Sequence, residues 1–270
     1  MRLLTLLAIL LLTGAWGGIE MSIPPQPLAG TRAAPQPLPA RLYLPDGKGP
    51  FPALVVMHTC AGLGGGGTSL GGTSLIDQWI GRLNGWGYAA LVPDSFTPRG
   101  VSSVCAPQDQ PKVTTFDRTG DAVSAALALR TRPEIDGKRI AVIGFSHGGA
   151  TTARVAIAPA ATAVPGLIRA AIDYYGGCTD PDRYTGMPFL VLAGEADTWG
   201  NPARTCTRFG ERIGAGHPFE LATYPGVVHS FDNQSAQRRV ESFGHPLQYD
   251  YAAATDSFAR VKAFLERYDR

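Results

Sequence analysis

A chain of 270 residues with 44% hydrophobic and 17% charged residues is long and apolar enough to bury one large core, and α/β proteins commonly use such a length as one domain. The net charge of +2 is small and scattered and no Lys/Arg cluster occurs, which argues against a nucleic-acid partner.

Met1-Arg2 precedes an apolar run from Leu3 to Leu12 and then Thr13-Gly14-Ala15-Trp16-Gly17. A basic start, a short greasy middle and a small-residue end mark a secretory signal, expected over residues 1–17. The run is too short for a comfortable membrane span. No stable membrane insertion is therefore expected after cleavage, and the mature protein is expected to be secreted or periplasmic; an uncleaved anchor is the competing reading. Residues 18–40 follow as an extended arm, rich in Pro, Gln and Ala from Ser22 onward and without a period to bury. The main folded domain is expected over 41–270.

Arg41 to Leu44 reads as a short strand, Pro45-Asp46-Gly47 as a turn and Phe51 to Met57 as the next strand. After the loop His58-Thr59-Cys60-Ala61-Gly62, the run Gly66-Gly67-Thr68-Ser69-Leu70 is repeated at once as Gly71-Gly72-Thr73-Ser74-Leu75. Units this short and few make no solenoid, and no Gly-Lys-Ser/Thr ending follows to cradle phosphate. The duplication reads as a loop insertion beside the preceding strand. Leu75 to Leu83 patterns as an amphipathic helix, Tyr88 to Val92 as a strand, and Asp117 to Arg130 as a helix whose acidic first turn and basic end suit its dipole. Arg139 to Ile143 is the next apolar strand, followed by a helix from Thr151 to Ala158. Further strands are expected at Ala170 to Tyr174, Met187 to Gly194 and Phe219 to Tyr224, with a terminal amphipathic helix from Ala252 to Tyr268. Strands alternating with helices predict an α/β fold with a mostly parallel sheet covered on both faces.

Gly144-Phe145-Ser146-His147-Gly148 lies between a predicted strand and a predicted helix, the context of a nucleophile elbow. The sharp turn lifts the Ser146 hydroxyl clear of the sheet, and only residues without bulk fit where strand and helix approach. Such a serine needs an acid and then a base later in the chain. Glu195-Ala196-Asp197 follows one strand and Pro225-Gly226-Val227-Val228-His229 the next, which makes Asp197 the candidate acid and His229 the candidate general base. Asp173 and Asp232 are rival acids, but Asp173 lies within a strand and Asp232 comes after the histidine. The oxyanion formed by attack needs fixed donors. The backbone N–H of His147 is one candidate and that of Cys60 the other, with Thr59 as the near alternative.

Four cysteines in an exported chain suggest two bridges, of three possible pairings. Their loop positions favour Cys60 with Cys105 and Cys178 with Cys206. No CxxC or HExxH spacing supports a metal site, and no metal or organic cofactor is expected. Of the remaining histidines, His217 and His245 precede prolines and read as surface-turn residues, while His58 reads as packed or hydrogen-bonded at a strand end. Trp199 and Phe96 are candidate pocket aromatics.

These segments in this order resemble the dienelactone hydrolase family of the α/β-hydrolase fold. The resemblance runs from about Arg41 to the C-terminus. It rests on Gly49-Pro50-Phe51-Pro52-Ala53, Tyr88-Ala89-Ala90-Leu91-Val92-Pro93-Asp94-Ser95-Phe96, the run from Arg139 to Ser146, Gly194-Glu195-Ala196-Asp197, and Pro225-Gly226-Val227-Val228-His229-Ser230-Phe231. It implies a Ser146, His229, Asp197 triad and a backbone donor at Cys60, with 41–270 as the catalytic domain. The chain departs from the namesake enzymes in three places. Ser146 replaces their cysteine, Thr59 their oxyanion-loop carboxylate, and Asp232 and Asn233 stand where they carry an anion-binding arginine. Arg99 reads as a solvated loop residue rather than a replacement anchor. The expectation is a secreted serine hydrolase acting on a small-molecule ester or lactone through an acyl-enzyme. A peptidase or amidase on the same fold and a non-catalytic binding protein are the alternatives.

Overall fold

A computed structural model of the chain describes residues 17–28, 31–63, 74–106, 112–158, 164–179 and 184–268. Almost all of the expected signal and most of the tandem duplication lie outside the described residues.

Eight strands form one sheet: β1 (Ile19–Ile23), β2 (Leu38–Tyr43), β3 (Phe51–Met57), β4 (Ala89–Pro93), β5 (Ile135–Phe145), β6 (Ala171–Tyr174), β7 (Phe189–Gly194) and β8 (Phe219–Tyr224). Their order is β1-β2-β4-β3-β5-β6-β7-β8. The pairs β1–β2 and β2–β4 are antiparallel and all others parallel. The helices are α1 (Leu75–Gly85), α2 (Thr115–Arg130), α3 (His147–Val155), α4 (Pro202–Ile213) and α5 (Tyr251–Tyr268).

The central strands are apolar on both faces because both faces are covered. Along β3, Ala53, Val55 and Met57 join a core with α2, α3 and α4, whereas Leu54 and Val56 join the opposite core with α1 and α5. That alternation is the two-residue side-chain period of a strand serving two hydrophobic layers. None of the described helices is long and apolar enough to cross a membrane.

The sheet starts earlier than position 41. Ile19–Ile23 pairs with Leu38–Leu42, and Ile23, Leu38 and Leu42 are buried. Leu38, Ala40 and Leu42 face inward while Pro39 and Arg41 face out, a two-residue alternation that the Pro- and Ala-rich composition of this stretch conceals. Helix α4 and a short hairpin, β9 (Val240–Ser242) and β10 (His245–Leu247), were not evident in the sequence pattern. Phe243 and Gly244 turn that hairpin at φ 51° and 81°.

Both expected disulfides are present, Cys60–Cys105 and Cys178–Cys206. The second closes 28 residues and ties the loop after β6 to α4. Its removal in a Cys178→Ala/Cys206→Ala protein is expected to cost about 3 to 4 kcal/mol through the freed entropy of the unfolded chain. Denaturant midpoints of the two proteins test this, and equal midpoints would refute it.

Candidate active site

Strand β5 ends at Phe145 and α3 begins at His147, so Ser146 alone makes the turn, at φ 55° and ψ −117°. That backbone is strained for any residue with a Cβ, and it persists because its surroundings hold it from both sides. Ser146 N–H donates to the Tyr174 carbonyl at 2.9 Å, and the Ser146 carbonyl accepts from Ala150 N–H at 2.9 Å. A methyl group on Gly144 would overlap the Gly148 carbonyl, and one on Gly148 would overlap the carbonyls of Met57 and His58. The two glycines flanking the serine thus let the helix start press against the ends of β5 and β3.

The structure brings together the three side chains expected from chain order. Ser146 Oγ lies 3.0 Å from His229 Nε2, and His229 Nδ1 lies 2.7 Å from Asp197 Oδ2. An ionised carboxylate only accepts, so Nδ1 carries the proton and Nε2 is left to receive the serine hydroxyl. Asp197 is 2% exposed and its other oxygen accepts from Trp199 N–H at 2.8 Å. Rings of Tyr175 and Trp199 flank the imidazole, with centroids at 4.7 and 5.1 Å.

The residues proposed as oxyanion donors follow neighbouring strands. Met57 is in register with Gly144 across β3 and β5, so Cys60 and His147 lie the same number of residues past paired positions. The Cys60 carbonyl accepts from Val104 N–H at 2.8 Å and its sulfur is bonded to Cys105, which pins this loop twice.

A buried polar cluster lies behind these donors. His58 Nε2 accepts from Ser95 N–H at 3.3 Å, so its Nδ1–H donates to the Thr59 carbonyl at 2.8 Å. Arg118, fully buried on α2, donates from Nη2 to the His58 carbonyl and from Nη1 to His147 Nδ1, both at 2.7 Å. The sequence reading passed over Arg118. An arginine directly before the small-residue run Thr119 to Ala126 was the available signal, since small residues along a helix let it pack closely and bury what adjoins them, and arginine resists burial.

Other expectations shift. Arg99 is not solvated: a short turn, Thr97–Arg99, ends at Gly100 with φ 66° and sends the side chain inward. There it forms a bidentate pair with Asp121 at 2.8 and 3.0 Å, with side chains 7% and 2% exposed. Asp121 is on the distant helix α2, so no local pattern announces the pair. His245 is likewise not a surface-turn residue; it sits in β10, stacked on Trp199 at 5.1 Å, with Nδ1 3.0 Å from Thr198 Oγ1. Asp232 is buried and accepts from Trp79 Nε1–H and Tyr175 O–H, each at 2.6 Å. It therefore anchors the tyrosine that packs on His229. The rival acid Asp173 is buried and accepts from Gly176 N–H at 2.7 Å, and burial pushes its carboxyl well above the usual range. Its Oδ atoms lie near Cys178 and Cys206, but those sulfurs are bonded to each other and offer no thiolate for a metal.

Burial, and then the Arg118 charge, pushes His147 down to about 3, and the same two causes in the same order hold His58 well below the ordinary histidine value. Unfolding frees a histidine to take a proton near pH 6.5, so the unfolded state binds more protons and stability falls as pH drops below about 6.5. Buried Asp121, Asp173 and Asp232 are shifted upward and act in the opposite sense. A difference measurement isolates the imidazole: between pH 6.5 and 4, His147→Gln should gain stability relative to the native sequence as pH falls, by up to about 1.4 kcal/mol per unit. Urea midpoints across that range check it, and a gap that does not vary with pH would refute it.

A serine on a strand-turn-helix elbow of a parallel sheet, facing a histidine and an aspartate on loops after later strands, defines an α/β-hydrolase fold. The model of the dienelactone hydrolase family matches residues 38–269, and the chain belongs to that family. Among solved structures, a protein of Klebsiella pneumoniae subsp. pneumoniae named as a dienelactone hydrolase is 23% identical with TM-score 0.68, covering 93% of this chain and 98% of that one. A dienelactone hydrolase-like promiscuous phosphotriesterase from metagenomic libraries is also 23% identical, with TM-score 0.66 and the same coverage. Esterase 2 of Thermogutta terrifontis, phosphorylated by paraoxon, is 20% identical with TM-score 0.60, covering 93% and 94%. At such identities these likenesses speak to the fold alone. No curated protein sequence matches the chain.

Proposed function

We propose that this protein is a serine hydrolase that cleaves small carboxylic esters or lactones through an acyl-enzyme. The observation that carries the reading is the single imidazole bridging the Ser146 hydroxyl at 3.0 Å and the Asp197 carboxylate at 2.7 Å. As Ser146 Oγ bonds to the substrate carbonyl carbon, its proton passes to His229 Nε2, and Asp197 stabilises the imidazolium. The carbonyl oxygen becomes anionic and is held by the backbone N–H groups of Cys60 and His147. Collapse breaks the ester bond, and the leaving alcohol takes the proton from His229. Water, deprotonated by the same imidazole, then releases the acid and restores Ser146.

Asp232 and Asn233, at the place where the resemblance implies an anion-binding arginine, and the internal pairing of Arg99 favour neutral esters over anionic lactones. The names of two structural neighbours, a phosphotriesterase and an esterase phosphorylated by paraoxon, support a nucleophile that organophosphates trap. Export, with a leader over residues 1–17 removed, fits a chain holding two disulfides and no free cysteine.

A panel of p-nitrophenyl esters of graded acyl length, run beside a dienelactone and a peptide anilide, tests the substrate class. Turnover of esters with little of the anilide is expected, and preference for the anilide would favour a peptidase. A fluorophosphonate should label Ser146 in folded, unreduced protein; absence of both labelling and turnover would favour a binding protein. N-terminal sequencing of the exported protein tests the leader.

A further inference from the structure

The two donors proposed for the oxyanion hole belong to different segments, Cys60 to the loop after β3 and His147 to the first turn of α3. Stabilising one oxygen requires both N–H groups to lie about 2.7 to 3.1 Å from the same point. Backbone pairing ends at Met57–Gly144, so the strands themselves do not fix that separation. Side chains must.

Two hydrogen bonds orient the Cys60 donor. The Thr59 carbonyl and the Cys60 N–H belong to one planar peptide unit and point in opposite directions. When His58 Nδ1–H donates to the Thr59 carbonyl at 2.8 Å it sets the plane of that unit and hence the direction of the Cys60 N–H. His58 is itself held by Ser95 N–H on Nε2 and by the Phe96 ring, whose centroid is 4.6 Å away. Arg118 then spans the gap between segments, with Nη2–H on the His58 carbonyl and Nη1–H on the His147 imidazole, both at 2.7 Å. A guanidinium is planar and rigid, so these two contacts set a fixed distance between the His58 carbonyl and the His147 ring.

The cluster also carries charge. Arg99, Arg118 and Asp121 are buried together, and Asp94 is a second carboxylate that acts on Arg118 through space. Arg99 takes both oxygens of Asp121, whereas the Nε of Arg118 has no partner and Arg118 forms no ion pair among the described residues. Burial pushes Arg118 down to about 9, which leaves it a cation at neutral pH. The Arg118 guanidinium also lies over the Phe96 ring, 5.1 Å from its centroid, but a buried cation without a directly paired carboxylate is costly, and such a position is a candidate for a role in function.

From this geometry we infer that Arg118 is a positioning residue for the oxyanion hole, locking the His58-Thr59-Cys60 segment to His147 and lending positive potential to the oxygen that becomes anionic. The inference rests on the serine hydrolase reading above. Its signature is a loss in kcat rather than KM, because the negative oxygen exists only in the transition state.

The test uses the full chain with its disulfides intact and a p-nitrophenyl ester as substrate. Arg118→Met fills the space without charge or donors. Arg118→Lys keeps the charge and one donor. The methionine variant is expected to lose about ten- to a hundred-fold in kcat, with KM within about two-fold, and the lysine variant to recover a substantial part of that loss. Affinity for phenylboronic acid, which forms a tetrahedral anion on serine, should fall in step with kcat/KM. Should the methionine variant fail to fold by circular dichroism, the lysine variant carries the test. A folded variant with unchanged kcat and boronate affinity would overturn the proposal, as would equal losses in the two variants that merely track thermal stability. Failure of the native sequence to turn over ester or take the fluorophosphonate label is a separate result. It would sink the hydrolase reading and this proposal with it, whereas normal labelling with unaffected Arg118 variants would sink this proposal alone.

Discussion

Replacing Ser146 with alanine is expected to lower ester turnover by about a million-fold, to the residue of rate that oxyanion donors and binding supply without a nucleophile. Among the described residues, the hydroxyl hydrogen-bonded to His229 Nε2 is Ser146 Oγ, at 3.0 Å. Stability should respond differently. Ser146 sits at φ 55°, ψ −117°, a conformation that strains any side chain bearing a Cβ. Alanine keeps that strain and should leave the unfolding midpoint near its native value. Glycine removes it, so Ser146→Gly should be inactive yet more stable, by about 1 kcal/mol or more. Ester kinetics and thermal unfolding of the two variants test both halves. Residual activity within ten-fold or so of the native sequence would rule out the serine as nucleophile.

The change Asp197→Asn is expected to cost about ten-thousand-fold in kcat with little change in fold. In the native protein the carboxylate accepts from His229 Nδ1–H, which leaves the Nε2 lone pair for the serine proton. An asparagine amide directed at Nδ1 donates instead, which moves the imidazole proton to Nε2 and removes the base. Trp199 N–H still finds an oxygen to donate to, so the loop is retained. The control is Asp173→Asn. Burial favours the neutral form of Asp173, and its bound partner is the Gly176 N–H, which an amide oxygen accepts equally well. Its loss should be at least a hundred-fold smaller, by the magnitudes that separate tautomer control from a single hydrogen bond. If Asp173→Asn proved the more damaging, the acid would be misassigned.

Much of this architecture was legible before any coordinates. The runs Ala53 to Met57, Ile140 to Phe145 and Phe189 to Gly194 contain no polar or charged side chain, which a strand buried on both faces requires, and each lies in the parallel part of the sheet. The elbow was legible because its chemistry restricts sequence: Gly144 and Gly148 stand where a Cβ would strike backbone. The edge strand Ile19–Ile23 was not legible because a lone five-residue strand between Gly17-Gly18 and Pro24-Pro25 has too little pattern to separate it from coil. Helix α4 was missed although its apolar residues are concentrated on one face, because its sequence is mostly polar and opens at Pro202.

The alternation of strands and helices along the chain, the glycine-flanked serine turn, and a candidate acid and base on later loops were determined by the sequence, because each is a constraint on neighbouring residues or on chain order, whereas the choice among three cysteine pairings belongs to the folded chain. Partnership across the fold was decided only by tertiary structure. Nothing in the chain between them indicates that Arg99 turns inward to Asp121, that Asp232 holds Tyr175 against His229, or that Arg118 reaches both His58 and His147. Those contacts join residues 22 to 60 positions apart, and each depends on the direction of a side chain within a packed interior. Local periodicity says which residues are buried. Which buried charge meets which carbonyl follows from how the layers close on one another.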